Sequence, residues 1–178
     1  MRKILVVVDM QNDFIDGALG TKEATAIVPA VKEKIASYAP EDVYYTLDTH
    51  EKDYLQTQEG QFLPVEHCVR GTEGWKLSPE LSDVLAGAKR YEKPTFGSVN
   101  LAFRLRDLAS EEAIEVELVG LCTDICVVSN ALLFKAMMPE VLISVDAACC
   151  AGVTPDNHKA ALQTMKSCQI QVKNDAKK

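Results

Sequence analysis

Two patterns of apolar residues alternate along the chain, one typical of strands and one typical of helices. Short runs rich in Val, Ile and Leu are typical of strands, whereas apolar residues at i, i+3 and i+4 predict amphipathic helices. The pattern predicts strands near residues 4–9, 43–49, 89–93, 114–120, 141–146 and 169–173. It predicts helices between them, near residues 22–37, 98–109, 124–138 and 155–167. Such alternation is typical of an α/β protein with a mainly parallel sheet and helices on both faces.

One long segment interrupts this alternation. Residues 51–77 contain several Gly and Pro residues and show no clear period. Loops of that length are uncommon in compact domains and are usually functional or disordered. Because ligands of open parallel sheets bind beyond the carboxyl ends of the strands, we expect a site there, close to this segment.

Composition narrows the class of protein. With 178 residues, of which 47% are apolar and 25% charged, the chain is expected to form a single domain over residues 1–178. No run approaches the ~20 apolar residues of a membrane span, and acidic residues follow the first apolar run too soon for a signal peptide. We therefore expect a cytoplasmic protein without a membrane partner. The ending KNDAKK is expected to be a solvated tail.

The net charge argues against a nucleic-acid-binding protein, and the cysteine pattern against a protein held together by disulfides. A net charge of -7 argues against nucleic acid as a partner. The cysteines number six, but Cys149 and Cys150 are adjacent and no secretion signal is present. Reduced thiols are therefore expected, and not a framework of disulfides.

The segment GLCTDICVV, residues 120–128, carries the first candidate for chemistry. A strand enters it and a helix leaves it, with Thr123 or Asp124 as the expected N-cap. Cys126 is thereby predicted in the first helical turn, where the positive end of the helix dipole stabilises a thiolate and free N–H groups can hold an oxyanion. The alternative is that Cys126 is a small buried residue on the inner face of the helix.

Two charged residues end neighbouring predicted strands. Asp9 follows the run ILVVV, and Lys93 closes the third strand. Asp9 is open to an ordinary interpretation as the cap of a turn, and Lys93 to one as a surface lysine. If both lie beside Cys126, however, the three side chains form a nucleophile with a proton shuttle and an orienting charge.

A second cluster is predicted from the histidines, which number three in the chain. Asp48 and His50 lie on one side of the second strand, and His67 lies in the long segment with Glu59 nearby in sequence. Carboxylate and imidazole groups so arranged suit one metal ion, with Glu59 binding directly or through water. The remaining histidine, His158, is expected to be exposed at a polar helix start.

The order of six motifs resembles that of the isochorismatase-like superfamily of cysteine hydrolases, and of its nicotinamidases in particular. The motifs are DMQNDF, DTH, PVEHCVRGTEG, KPTFGS, GLCTDICV and SVDAACC. The resemblance covers nearly the whole chain. It implies an open, three-layer α/β fold whose six-stranded sheet has the order 3-2-1-4-5-6, and an assembly of identical subunits.

The resemblance also implies an active site. Its catalytic triad falls on Asp9, Lys93 and Cys126, and its oxyanion donors are the backbone N–H groups of Cys122 and Cys126. A cis peptide bond is implied between Leu121 and Cys122. The resemblance further implies one divalent metal ion, which would be zinc or else manganese or iron. Its ligands would be Asp48, His50 and His67, with Glu59 as a further ligand.

The substrate implied is a small amide, nicotinamide, in a role in NAD salvage. Phe14 falls on the aromatic floor of the substrate pocket, and Phe62 and Leu63 stand where a Trp often forms the second wall. True isochorismatases lack the nucleophilic cysteine, so Cys126 favours amide hydrolysis.

Two alternatives stay open. The chain could hydrolyse another small amide or an N-carbamoyl compound, as other members of the superfamily do. It could instead be a non-catalytic thiol-redox or metal-binding protein, although the spacing of Cys122 and Cys126 is not Cys-x-x-Cys.

Overall fold

The computed structural model describes residues 1–175, so the last three residues of the predicted tail KNDAKK lie outside the described part. Its strands are β1 (Arg2–Val8), β2 (Val43–Asp48), β3 (Lys89–Lys93), β4 (Ile114–Leu121), β5 (Leu142–Ala151) and β6 (Gln171–Lys173). They form one sheet of order β3-β2-β1-β4-β5-β6, and every pair of neighbours is parallel. The predicted α/β class and strand order are confirmed.

The helices occupy the predicted gaps, with two short additions. They are α1 (Asn12–Ile15), α2 (Lys22–Ala36), α3 (Gln58–Phe62), α4 (Val99–Glu111), α5 (Val128–Met137) and α6 (Pro155–Ser167). The sequence did not predict α1 and α3, which have only 4 and 5 residues and are too short to show a helical period. Among residues 1–175, no helix combines the length and apolar character needed to cross a bilayer.

The apolar run of β1 reflects burial on both faces of the sheet. Ile4, Val6 and Val8 pack into a core with α4, α5 and α6. Leu5 and Val7 point the other way, into a core with α2. All five side chains are at most 1% exposed, as expected for a central strand covered by helices on both sides. The first strand therefore ends deep inside the molecule, where Asp9 follows it.

The fifth strand is longer than predicted and the sixth is shorter. Beyond residue 146, β5 continues through a run of small residues to Ala151, which pairs with Leu121 after a register shift. Gly120 sits in this irregular part of β4 with φ of +114°, and a Cβ there would lie 2.2 Å from the Val8 carbonyl oxygen. Only glycine fits, so β1 and β4 can approach closely just before the Cys126 segment.

A polar network lies on the α2 side of the sheet. Glu117 accepts a hydrogen bond from the Tyr38 hydroxyl at 2.7 Å and pairs with Lys173 and Lys34 at 3.1 and 3.5 Å. Lys34 also pairs with the buried Asp146 at 2.6 Å. Burial raises the pKa of Glu117, but Tyr38 and the two lysines outweigh burial and hold the pKa below its usual value. The network therefore links α2 to three strands as long as Glu117 is ionised.

Candidate active site

Three strand ends bring Asp9, Lys93 and Cys126 into contact. The Lys93 Nζ atom lies 2.7 Å from Asp9 Oδ2 and 3.4 Å from Cys126 Sγ. The three residues are at most 4% exposed, so their charges interact in a medium of low dielectric constant. Asp9 also accepts a hydrogen bond from Thr46 at 2.7 Å. The structure thus brings together the three residues that the sequence proposed as a triad.

Burial and the neighbouring charges shift the pKa of each group. The pKa of Lys93 is raised, because the attraction of Asp9, Cys126 and Asp48 outweighs burial. The pKa of Asp9 is raised, because burial outweighs the nearby ammonium group. Burial and the Asp9 charge raise the pKa of the Cys126 thiol well above its usual value. This shift runs against the expectation that the helix start stabilises the Cys126 thiolate, so a nearby base is needed to take the proton.

The turn that carries Cys126 differs from the predicted helix start. Residues Thr123–Val127 form one turn of π-helix ahead of α5. Neither Thr123 nor Asp124 caps a helix, so that prediction is wrong: their side chains contact the segment after β5 instead. The peptide bond between Leu121 and Cys122 is cis, as the resemblance implied.

A second set of side chains meets beside this turn. The ligand atoms of Asp48, His50, Glu59 and His67 all lie within 4.8 Å of one another. Asp48 Oδ2 is 3.0 Å from His50 Nε2 and 3.5 Å from His67 Nε2. Glu59 Oε1 is 3.7 Å from the first of these nitrogens and 3.8 Å from the second. The short helix α3, in the middle of the long segment 51–77, is what delivers Glu59.

The donor set fits a divalent metal ion. Tetrahedral ligands at bond lengths of about 2.0–2.1 Å lie about 3.4 Å apart, close to the four carboxylate–imidazole separations of 3.0 to 3.8 Å. His67 Nδ1 lies 2.8 Å from the Val65 carbonyl oxygen; by donating to that oxygen it leaves Nε2 free to bind metal. Although burial lowers the pKa of His67, Asp48 and the Val65 carbonyl raise it above its usual value. The cluster therefore attracts positive charge.

The two clusters are one continuous site. Lys93 Nζ lies 3.5 Å from Asp48 Oδ1, so one ammonium group contacts Asp9, Cys126 and the first residue of the metal cluster. The shared edge follows from the parallel pairing of β2 with β3, which sets Asp48 opposite Lys93. A ligand held at the metal cluster would thus lie beside the thiol.

Comparison with known proteins identifies the family of the chain. The family model described as the isochorismatase domain matches residues 3–175. The chain belongs to the isochorismatase family.

Three relatives of this isochorismatase-family chain are informative. The nicotinamidase/pyrazinamidase of Mycobacterium tuberculosis is 28% identical over 96% of this chain and 97% of its own. The structure of a Pyrococcus horikoshii pyrazinamidase in complex with zinc is 26% identical, with a TM-score of 0.77 over 97% of this chain and 98% of that one. The N-carbamoylsarcosine amidase of Thermoplasma acidophilum is 28% identical, with a TM-score of 0.77 over 100% and 99%.

Two residues at the start of α1, Gln11 and Asp13, hold the backbone of site residues in this family member. The sequence analysis gave them no role. Gln11 donates to the Asp48 carbonyl at 2.9 Å and accepts from the Asp48 N–H at 2.7 Å. Asp13 accepts from the Cys68 N–H at 2.8 Å, next to His67. Both lie in the DMQNDF motif, so their position after the first strand was the available signal.

An inner cavity reaches the thiol between apolar walls. It is lined by Phe14, Leu19, Asp48, Glu59, Leu63, His67, Phe96, Cys122, Ile125 and Cys126. Phe14 and Leu63 thus lie where the sequence analysis expected substrate contacts. Phe62 is 85% exposed and lines only a wider outer cavity. Phe96, to which the sequence analysis gave no role, also lines the inner cavity. Its position three residues after Lys93 was the available signal.

His158 contradicts the sequence prediction. It is half-buried, and its Nδ1 atom lies 2.8 Å from Thr123 Oγ1, in the turn that carries Cys126. Burial lowers the pKa of His158 below its usual value. The polar helix start suggested exposure, but the first turn of α6 packs against the π-helical turn.

Proposed function

We propose that this protein hydrolyses nicotinamide to nicotinate and ammonia through a thioester on Cys126. One observation carries the proposal: the buried Lys93 ammonium contacts Asp9, Cys126 and Asp48 at 2.7, 3.4 and 3.5 Å. A proton acceptor, a thiol and a candidate metal-binding cluster are therefore joined through one ammonium group. Similarity to a nicotinamidase/pyrazinamidase over 96% of the chain supports the choice of a small amide.

The reaction begins with proton transfer from the thiol. Asp9 takes the proton of Cys126, and Lys93 keeps the resulting charges together in the buried site. The thiolate attacks the carboxamide carbon, and the N–H groups of Cys122 and Cys126 hold the oxyanion. Ammonia leaves with the proton from Asp9. Water activated by Asp9 then cleaves the thioester and releases the acid.

Substrate orientation rests on the walls of the inner cavity. The ring lies against Phe14, with Leu63 and Phe96 opposite, so that the amide points at Cys126. Asp48, His50, His67 and Glu59 would hold one divalent ion, for which zinc suits the nitrogen and oxygen donors, as do manganese and iron. When bound, the ion supplies a Lewis acid for the lone pair of a ring nitrogen. A cytoplasmic homo-oligomer that acts in NAD salvage remains our expectation.

A second candidate is an amidase for N-carbamoyl compounds. It is favoured by the similarity to the N-carbamoylsarcosine amidase, which covers the whole chain at 28% identity. The same thiol chemistry would release ammonia from a carbamoyl group, and no ring nitrogen would be required.

Ammonia release separates these candidates. Metal-loaded protein is assayed with nicotinamide, pyrazinamide, benzamide and N-carbamoylsarcosine at matched concentrations. Nicotinamide and pyrazinamide should be hydrolysed. Benzamide lacks the ring nitrogen, so its kcat/KM should be lower by roughly a hundredfold or more. Preference for the carbamoyl compound would replace the proposal, and release from none of the four would refute it.

Two cysteine variants form a matched pair for the nucleophile. Cys126→Ala should abolish turnover without loss of fold, because it removes the attacking sulfur. Cys122→Ala keeps its backbone N–H and should retain most activity. Equal losses in the two variants would contradict the assignment.

A further inference from the structure

The turn that carries Cys126 lacks a cap from its own side chains. Within the described residues 1–175, neither N-cap residue makes a side-chain capping hydrogen bond: not Cys122 ahead of the π-helical turn, and not Val127 ahead of α5. A single turn of π-helix is a rare conformation that is found mostly at functional sites. Contacts from elsewhere in the fold must therefore hold the turn in place.

Those contacts come from the residues that follow β5 and from the first turn of α6. The Thr123 hydroxyl oxygen lies 2.8 Å from His158 Nδ1, and Asp124 Oδ1 accepts a hydrogen bond from the Val153 N–H at 3.0 Å. Thr123 is 0% exposed, so its hydroxyl group depends on a protein partner. His158 is the only side chain among residues 1–175 found within hydrogen-bonding distance of it. The contact links the turn to the first turn of α6.

The backbone is closely packed where the chain passes from β5 to α6. A Cβ on Gly152 would lie 2.8 Å from the His158 backbone nitrogen and 2.9 Å from Asp124 Oδ1. The first turn of α6 thus lies directly against the π-helical turn. At the end of the turn, Asn130 of α5 donates to the Cys126 carbonyl oxygen at 2.8 Å, and the Cys126 side chain contacts Lys93 at 3.4 Å. The Thr123 contact is therefore the one that ties the start of the turn to α6.

We propose that His158 is a positioning residue: through Thr123 it fixes the π-helical turn, and with it the Cys126 thiol and the N–H groups of Cys122 and Cys126. This inference rests on the proposed amide hydrolysis, because those N–H groups serve as oxyanion donors. His158 touches no substrate. Its loss should therefore lower kcat and leave KM nearly unchanged, since the turn matters most where the oxyanion forms.

The test uses variants of both partners. His158→Ala and Thr123→Val each remove the contact and should lower kcat by roughly 10- to 100-fold, the range expected when reacting groups move by up to about 1 Å. The double variant should lose no more than either single variant, since all three lack the same hydrogen bond. His158→Asn places an amide near the Nδ1 position and should recover much of the activity. Asn157→Ala, an exposed neighbour on α6, is the matched control and should behave as wild type.

A readout that needs no substrate separates this inference from the proposed function. Backbone hydrogen exchange of a peptide covering residues 121–128 should be faster in His158→Ala and Thr123→Val, and unchanged in Asn157→Ala. If wild-type protein hydrolyses no small amide while exchange behaves as expected, the proposed function fails and the positioning contact stands. Wild-type exchange and wild-type kcat in His158→Ala would overturn the inference, as would a rise in KM with kcat unchanged.

Discussion

Lys93 is the charge that joins the two halves of the site, and Lys93→Met tests how its partners depend on it. Methionine has a similar length but no charge. The substitution leaves Asp9, which is 0% exposed, without the ammonium group 2.7 Å from its carboxylate. Asp48 loses a weaker partner at 3.5 Å.

The expected cost follows from the burial of the pair. Removing one partner of a buried ion pair costs about 3–5 kcal/mol, because the other charge remains buried and uncompensated. For a chain of this size that corresponds to a fall in Tm of roughly 6–20 °C. Asp9→Asn together with Lys93→Met removes both charges, and the Asn oxygen can still accept from Thr46. The double variant should regain most of the lost stability while activity stays absent, because no base remains.

Urea unfolding at pH 7.5 with excess metal measures these free energies, and ammonia release measures activity on the same samples. The matched control is Lys3→Met, which removes an exposed strand lysine from its ion pair with Glu115 at 3.5 Å and should cost about 1 kcal/mol or less. The reasoning is refuted if Lys93→Met costs no more than this control. It is also refuted if the double variant is no more stable than Lys93→Met alone.

Three further predictions concern the metal cluster, the polar network and the sheet. His67→Ala should lower bound metal, measured by elemental analysis after dialysis, and should mainly raise KM for nicotinamide; full metal content would exclude His67 as a ligand. The folded-state pKa of Glu117 is lowered, so its stabilisation is present above its unfolded pKa of about 4.3 and is lost as pH falls through the folded value. In Glu117→Gln the free energy of unfolding should therefore fall less steeply as the pH is lowered. The same pH dependence in this variant and in the wild type would contradict the prediction. Gly120→Ala should lower the free energy of unfolding by roughly 2–6 kcal/mol, because the new Cβ adds both backbone strain and steric overlap. Gly71→Ala is the control: its φ is +84°, but a Cβ there would meet no atom of the described residues within 4 Å, so it should lose only the part due to strain. Equal losses of both variants in urea unfolding would contradict the overlap.

Alternating apolar periods were sufficient to predict the α/β class, because they record which faces of each element are buried. The same pattern made Asp9, Lys93 and Cys126 candidates for one site, since the carboxyl ends of parallel strands share one edge of the sheet, and the family resemblance named them as a triad. The strand order and the cis bond before Cys122 came from the family resemblance and are confirmed. The short helices α1 and α3 were missed because a single turn carries no period.

Only the tertiary structure decided the direction in which the pKa of Cys126 shifts. Local position at a helix start favoured a thiolate, but the pKa depends on burial and on Asp9, which lies far away in sequence. The partners of Thr123 and His158 were decided in the same way, because contacts between β4, β5 and α6 cannot be read from local polarity. Phe96 likewise became a wall of the cavity only when the segment after β3 folded over the site. The local sequence pattern determines the strands and helices and the edge of the sheet at which the strands end. The pKa shifts of the site residues, the contacts that hold the Cys126 turn and the shape of the cavity depend on which distant residues pack there.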